Sequence, residues 1–130
     1  MKNLRLVGIF LFTLASLGCE PKFDVRLASD GETLPAPRFV VIEGSDATPE
    51  FDTIRVTDTD GTMMWHAMAE VFGSSGASEF AYGTPPAGFT DAVAAAPLQT
   101  SVRYRLVVVG AERVERYFEA NAERLIVMLP

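Results

Sequence analysis

The stretch DGTMMWHAMAE, Asp60 to Glu70, carries the side chains of this sequence that are best suited to metal chemistry. It holds the single histidine and three of the five methionines. In a β-strand, alternate residues point to the same side, so Met64, His66 and Met68 would share one face, each about 6.6–7 Å from the next. Thioether and imidazole groups suit Cu(I). The pattern raises the hypothesis of a copper site, against the alternative that methionine packs on a sheet surface.

The intervening residues of the same strand predict a side that faces the protein core. Met63, Trp65, Ala67, Ala69 and Val71 are all apolar. Trp65 is the only tryptophan, and we expect it to be buried between the layers of a sheet structure.

No arrangement typical of catalysis occurs along the sequence. The segment DTDG, 58–61, begins like a calcium loop but lacks the third acid, and Ala69 stands where the loop would need Glu, so the segment predicts a hairpin turn. The segment GSSGAS, 73–78, matches neither a nucleophile elbow nor a phosphate-binding loop. We therefore expect a protein that is not an enzyme and has no catalytic residues.

The chain begins MKNLRLVGIFLFTLASLGC, which has the layout of a secretory signal peptide. Lys2 and Arg5 form a positive start, an apolar run follows, and small residues precede Cys19. The end of this segment, ASLGC, resembles the lipobox of bacterial lipoproteins. The resemblance implies cleavage before Cys19 and attachment of lipid to its sulfur, which would anchor the protein effectively permanently.

The same resemblance implies a location. Glu20 follows the cysteine, which fits a lipoprotein exported to the outer membrane and exposed on its periplasmic face. Cys19 is the only cysteine, so no internal disulfide can form. We expect no cofactor other than the covalent lipid, with copper as the alternative.

Charge excludes one class of partner. Loss of Lys2 and Arg5 with the signal peptide reduces the 11 basic residues to 9 against 17 acidic, a net charge near −8. Nucleic acid needs a basic footprint, so it is not an expected partner. Membrane attachment would rest on the acyl chains, because an acidic chain is not attracted to anionic lipid.

The pattern beyond the signal peptide predicts one all-β domain. We divide the chain into a signal peptide at 1–18, a lipidated tether at 19–37 and a β-sandwich at 38–130. The tether includes FDVRL, which alternates like an edge strand. Short alternating segments separated by Gly, Pro, Asp and Ser predict about seven or eight strands in an antiparallel sandwich.

Two short features refine the prediction for the sandwich. Leu98 lies six residues before Tyr104, and Leu106 and Val108 continue the alternation. This spacing resembles part of the fibronectin type III and immunoglobulin-like pattern, although the usual Pro and Thr between the Leu and Tyr are missing from LQTSVRY. The resemblance implies a tyrosine corner, in which the Tyr104 hydroxyl bonds back to the backbone, and a binding or spacing role.

Three segments allow alternative interpretations. AERVERYFEANAER suits a strand after Gly110, which we favour, or a helix. TDAVAAAPL suits a helical turn or a weak strand. Phe80, Tyr82 and Phe89 flank GTPPAGF and belong either to the core or to an exposed contact patch.

Taken together, these features predict a lipid-anchored, non-enzymatic protein of the bacterial envelope that binds or supports another envelope component. The alternative is a periplasmic copper-binding lipoprotein that uses Met64, His66 and Met68. The structural residues of the prediction are Trp65, Leu98 and Tyr104.

Overall fold

A computed structural model of the chain describes residues 23–44, 49–71 and 78–130. These residues contain no α-helix, and so none that is long and apolar enough to cross a membrane. They form nine strands: β1 Phe23–Leu27, β2 Arg38–Glu43, β3 Phe51–Asp58, β4 Met63–Ala69, β5 Glu79–Ala81, β6 Phe89–Val93, β7 Arg103–Gly110, β8 Arg113–Ala120 and β9 Ile126–Leu129. The segment around Cys19 lies outside the described residues.

The strands pair in two antiparallel sheets. The small sheet has the order β1-β2-β5, and the large sheet has the order β6-β4-β3-β7-β8-β9. The prediction of an all-β antiparallel sandwich is confirmed. The count is nine rather than seven or eight, because FDVRL and the first half of TDAVAAAPL both lie in paired strands, β1 and β6.

The segment that suited either a strand or a helix is strand β8, as favoured. It pairs with β7 on one side and with β9 on the other. Val114 and Phe118 are buried, and the intervening Glu115 and Tyr117 are exposed, which is the alternation of a sheet with one covered face.

The β3–β4 connection is the hairpin that DTDG predicts. The backbone N–H of Gly61 donates to the carbonyl of Asp58 at 3.1 Å, and Gly61 has φ +83°, which favours glycine. The Asp58 carboxylate accepts hydrogen bonds from the backbone N–H groups of Asp60 and Thr62, both at 2.9 Å. Asp58 therefore stabilises the turn that aligns the two strands.

Aromatic side chains from both sheets fill the space between them. Phe39 of β2 packs on Phe118 of β8 with ring centroids 5.4 Å apart. Trp65 of β4 packs on Phe80 of β5 at 6.0 Å. Each large ring buries about 150–250 Å² and adds specific ring geometry, so these pairs dominate the cohesion of the sandwich.

Phe80, Tyr82 and Phe89 are all buried. The alternative of an exposed aromatic patch around GTPPAGF is therefore wrong, and the core assignment of these rings is correct. The Tyr82 hydroxyl lies 2.6 Å from the carbonyl of Ala96 and donates to it, which fixes the segment after β6 against the domain.

Candidate functional site

The structure changes the predicted grouping of the methionines. Trp65 pairs with Val56, but the next pair is Met63 with Thr57, so Met64 is an extra residue at a register shift. An extra residue of this kind inverts the alternation beyond it. Met64 packs against the core, and Met63 pairs with Thr57 on the side away from it.

The placement of Met64 beside His66 and Met68 on one face, with Met63 in the core, is therefore wrong. His66 and Met68 do share the side that faces away from the core, opposite Arg55 and Thr53. Within the described residues, no three His, Cys, Asp or Glu side chains form a group that could hold a metal. Copper binding by Met64, His66 and Met68 stays a prediction.

His66 has a cation as its cross-strand neighbour. Desolvation lowers the pKa of His66, and the charge of Arg55 lowers it further. The neutral form of the imidazole is therefore favoured at pH 7. Of this cross-strand pair, Arg55 is the residue that carries a charge.

The three structural residues of the prediction are all buried. Trp65 Nε1 donates to Asp91 Oδ1 at 2.8 Å, so its polar atom is satisfied. The Tyr104 hydroxyl accepts a hydrogen bond at 2.9 Å from the backbone N–H of Gln99, the contact that a tyrosine corner makes. Leu98 packs in the same core, next to that bond.

A second polar cluster, which the sequence did not suggest, organises the segment between β1 and β2. The Glu32 side chain is only 7% exposed. Its carboxylate accepts hydrogen bonds from the backbone N–H, Nε and Nη2 of Arg38 and from the Ser29 hydroxyl. These bonds, those of Arg38 first, lower the pKa of Glu32 to about 2. The cluster satisfies a buried charge and serves the fold.

The most distinctive surface is the side of the large sheet that faces away from the small sheet, which we call the outer face. Five large apolar side chains are markedly exposed among the described residues, and four of them lie on this face. Each of the four pairs with an outward-pointing residue of the neighbouring strand, so it points outward as well. The four residues are Met68, Val93, Tyr117 and Val127.

The outer face also differs in charge from the rest of the chain. The protein carries a net charge of −6. On the outer face, four arginines stand against two glutamates: Arg55, Arg103, Arg105, Arg113, Glu115 and Glu119. At these paired positions arginines therefore outnumber glutamates four to two, on a protein that is acidic as a whole.

Half of these arginines are paired within the face. Arg105 Nε lies 2.8 Å from Glu115 Oε1, and Arg113 lies 3.7 Å from the same carboxylate. The Tyr117 hydroxyl donates to Glu115 at 2.8 Å. The hydrogen bond from Tyr117, then that from Arg105, lowers the pKa of Glu115. Glu115 is therefore ionised and fully engaged.

Arg55 and Arg103 form no ion pair with any residue that the structure describes. Arg55 lies near the middle of the sheet, opposite His66 on one side and Val107 on the other. Its Nε is buried without a hydrogen-bond partner. Val107 is only 5% exposed although it points outward, so the long side chains around it must cover it.

A cleft of about 440 Å³ opens at the hairpin end of the outer face. Its sides are formed by the β3–β4 hairpin and by three outward-pointing residues of β7 and β8: Arg103, Arg105 and Tyr117. Arginine and tyrosine, both residue types enriched at protein interfaces, therefore meet in this cleft.

Sequence periodicity contained part of this signal. Arg103 and Arg105 alternate in RYRLVVVG, which places both on one face of a strand. The pairing of that strand with the segments around Arg55 and Tyr117 is a long-range feature that periodicity cannot supply. Comparisons with protein-family models, with curated proteins and with solved structures found no match for this chain.

Proposed function

We propose that this protein is a non-enzymatic binding module, anchored by lipid on Cys19 in the bacterial envelope, that docks a protein partner on its outer face. The observation that carries the proposal is the coincidence of four exposed apolar side chains and four arginines on one side of the large sheet. Exposed methionine and tyrosine together with arginine are residue types enriched at protein interfaces.

The size of the outer face supports this role. Six strands about 4.8 Å apart, the longest of eight residues, cover roughly 24 by 27 Å, or about 650 Å² in projection. A standard interface buries about 800 Å² on each partner, and accessible area exceeds a flat projection. One sheet face is thus large enough for a specific contact.

The tyrosine-corner bond between Tyr104 and Gln99 supports an immunoglobulin-like or fibronectin type III-like sandwich. Domains with this architecture host many unrelated functions, binding and spacing among them, so the function has to be argued from a surface rather than from the fold. The outer face is the surface with which we identify that function.

The proposed anchor is close to the folded domain. Phe23, the first residue of β1, is four residues beyond Cys19, a span of at most about 14 Å. A lipid on Cys19 would hold the end of the sandwich where β1 begins near the bilayer. β1 begins opposite Glu43, whose carboxylate accepts a hydrogen bond from the backbone N–H of Glu50 just before β3, whereas the Asp58–Gly61 hairpin and the cleft beside it lie at the other end of β3.

The docking proposal is tested with a photo-crosslinking amino acid placed singly at Met68 and at Val127, in the full chain and in cells. Both sites should yield the same discrete adduct. The matched control is Val40 on the other side of the small sheet, which should yield none. Equal adducts from all three sites, or none from the outer face, would show that this face is not a docking surface.

The anchor is tested separately with Cys19→Ser. The variant should incorporate no labelled fatty acid and should accumulate as uncleaved precursor. Normal processing of this variant would overturn the lipoprotein assignment while leaving the docking proposal intact.

A further inference from the structure

Arg55 lies at the centre of the outer face. Its cross-strand neighbours are His66 and Val107, and the neutral imidazole supplies no negative charge. The nearest acid of the same row is Glu115, which lies two strands away and is already held by Arg105 and Tyr117. Among the residues that the structure describes, the guanidinium of Arg55 therefore has no anionic partner.

We infer that Arg55 receives a carboxylate of the docked protein, so that the partner is an acidic segment with apolar side chains flanking its Asp or Glu. This inference rests on the proposed docking role of the outer face. The terminal nitrogens of a guanidinium match the two oxygens of a carboxylate. Met68 and Val93 on one side of Arg55, and Tyr117 and Val127 on the other, offer apolar contacts.

Charge and apolar contacts together distinguish this occupant from two others. A second copy of the chain that used the same face would set its own group of arginines against this one, because a twofold contact pairs the same patch with itself. An anionic membrane would also attract the arginines, but its phosphate headgroups carry no apolar side chains to cover the exposed Met68 and Tyr117. An acidic protein segment can meet Arg55 while its apolar side chains cover the rest of the face.

The experiment uses the full, isotopically labelled chain purified in detergent. The probe is a blocked hexapeptide of alternating leucine and glutamate, and the matched peptides carry glutamine or lysine in place of glutamate. Binding is followed through the backbone amide signals and the side-chain Nε–H signal of Arg55. We expect the glutamate peptide to shift the signals of Arg55, His66 and Val107 and to bind at least about tenfold more tightly than the glutamine peptide.

Variants then assign the effect to one side chain. Arg55→Gln should reduce the affinity for the glutamate peptide about tenfold, and Arg55→Lys should have a smaller effect because it keeps the charge but loses the planar fork. The matched control is Arg26→Gln, since Arg26 is an exposed arginine of β1 that forms no ion pair in the described structure. This control should leave the affinity unchanged.

Three outcomes would overturn the inference. They are equal binding of the three peptides, shifts centred away from the outer face, and an Arg55→Gln variant that binds the glutamate peptide like wild type. If phosphatidylglycerol vesicles bind the wild-type protein but not the Arg55→Gln variant, and the glutamate peptide is not preferred over the other peptides, the site binds lipid instead. If the peptide experiment fails but the photo-crosslinker at Met68 still yields a specific adduct, the docking role stands and the partner has a different chemistry.

Discussion

Replacement of Tyr104 by Phe removes one oxygen from the buried corner that joins the segment before β7 to the core. The Tyr104 side chain is 3% exposed, and its hydroxyl accepts the backbone N–H of Gln99 at 2.9 Å. The ring packs on Phe118 at 5.6 Å, and phenylalanine keeps that contact. The change therefore isolates the hydrogen bond from the packing.

The expected cost is about 1–2 kcal/mol of unfolding free energy. A typical hydrogen bond contributes about 1 kcal/mol net, and a partly buried N–H left without its acceptor adds a desolvation penalty. For a domain of about 100 residues, this corresponds to a fall in Tm of roughly 5–10 °C. Native stability is only about 5–15 kcal/mol, so the loss is readily measured.

The assay is urea unfolding monitored by circular dichroism. A shift in the midpoint between wild type and variant, with an unchanged dependence of free energy on urea, gives the difference in stability. The matched control is Tyr117→Phe, which removes an exposed hydroxyl bonded to Glu115 at the surface. The control should cost less than about 0.5 kcal/mol. A Tyr104→Phe variant as stable as wild type, or no less stable than the control, would refute a stabilising tyrosine corner.

Further predictions concern the core, the backbone and pH. Trp65→Ala, which empties a fully buried site, should cost about 3–5 kcal/mol in the same urea assay. Gly110→Ala should destabilise the domain by a few kcal/mol, because a Cβ there would lie 2.1 Å from the carbonyl oxygen of Glu50, whereas Gly31→Ala meets nothing within 4 Å and should be neutral. Glu32, whose pKa falls from 4.5 to about 2 on folding, should add roughly 1–2 kcal/mol after solvent screening. Its contribution is complete above about pH 4.5 and is lost as pH falls toward 2, so Glu32→Gln should flatten the stability profile in that window.

Local sequence pattern was sufficient for most strands and for much of the core. Alternation in RYRLVVVG places Tyr104, Leu106 and Val108 on one side, and all three are buried. The Asp-Gly of DTDG predicts the β3–β4 hairpin, because glycine tolerates the positive φ that the turn requires. These features depend on neighbours within a few residues, which a sequence displays directly.

The segment at 113–120 shows where local pattern was not sufficient. Val114 and Phe118 are four residues apart and suit a helical stripe as well as alternate positions of a strand. Pairing with β7 and β9 decides the matter, because a strand at this place supplies hydrogen-bond partners to the backbone of both neighbours, whereas a helix, bonded within itself, would leave those two edges unpaired.

The methionine stretch shows the same division on a smaller scale. By itself, the sequence predicted that this stretch, residues 62–71, forms a strand and that Trp65 belongs to the core. Only the tertiary structure decided that the register shifts opposite Val56 and Thr57, which moves Met64 toward the core and Met63 away from it. Strands distant along the chain likewise meet only on folding to bring Arg55, Val107 and Tyr117 onto one surface. Alternation is a property of one strand, whereas register and shared surfaces are properties of pairs of strands, and these form only when the chain closes into its sheets.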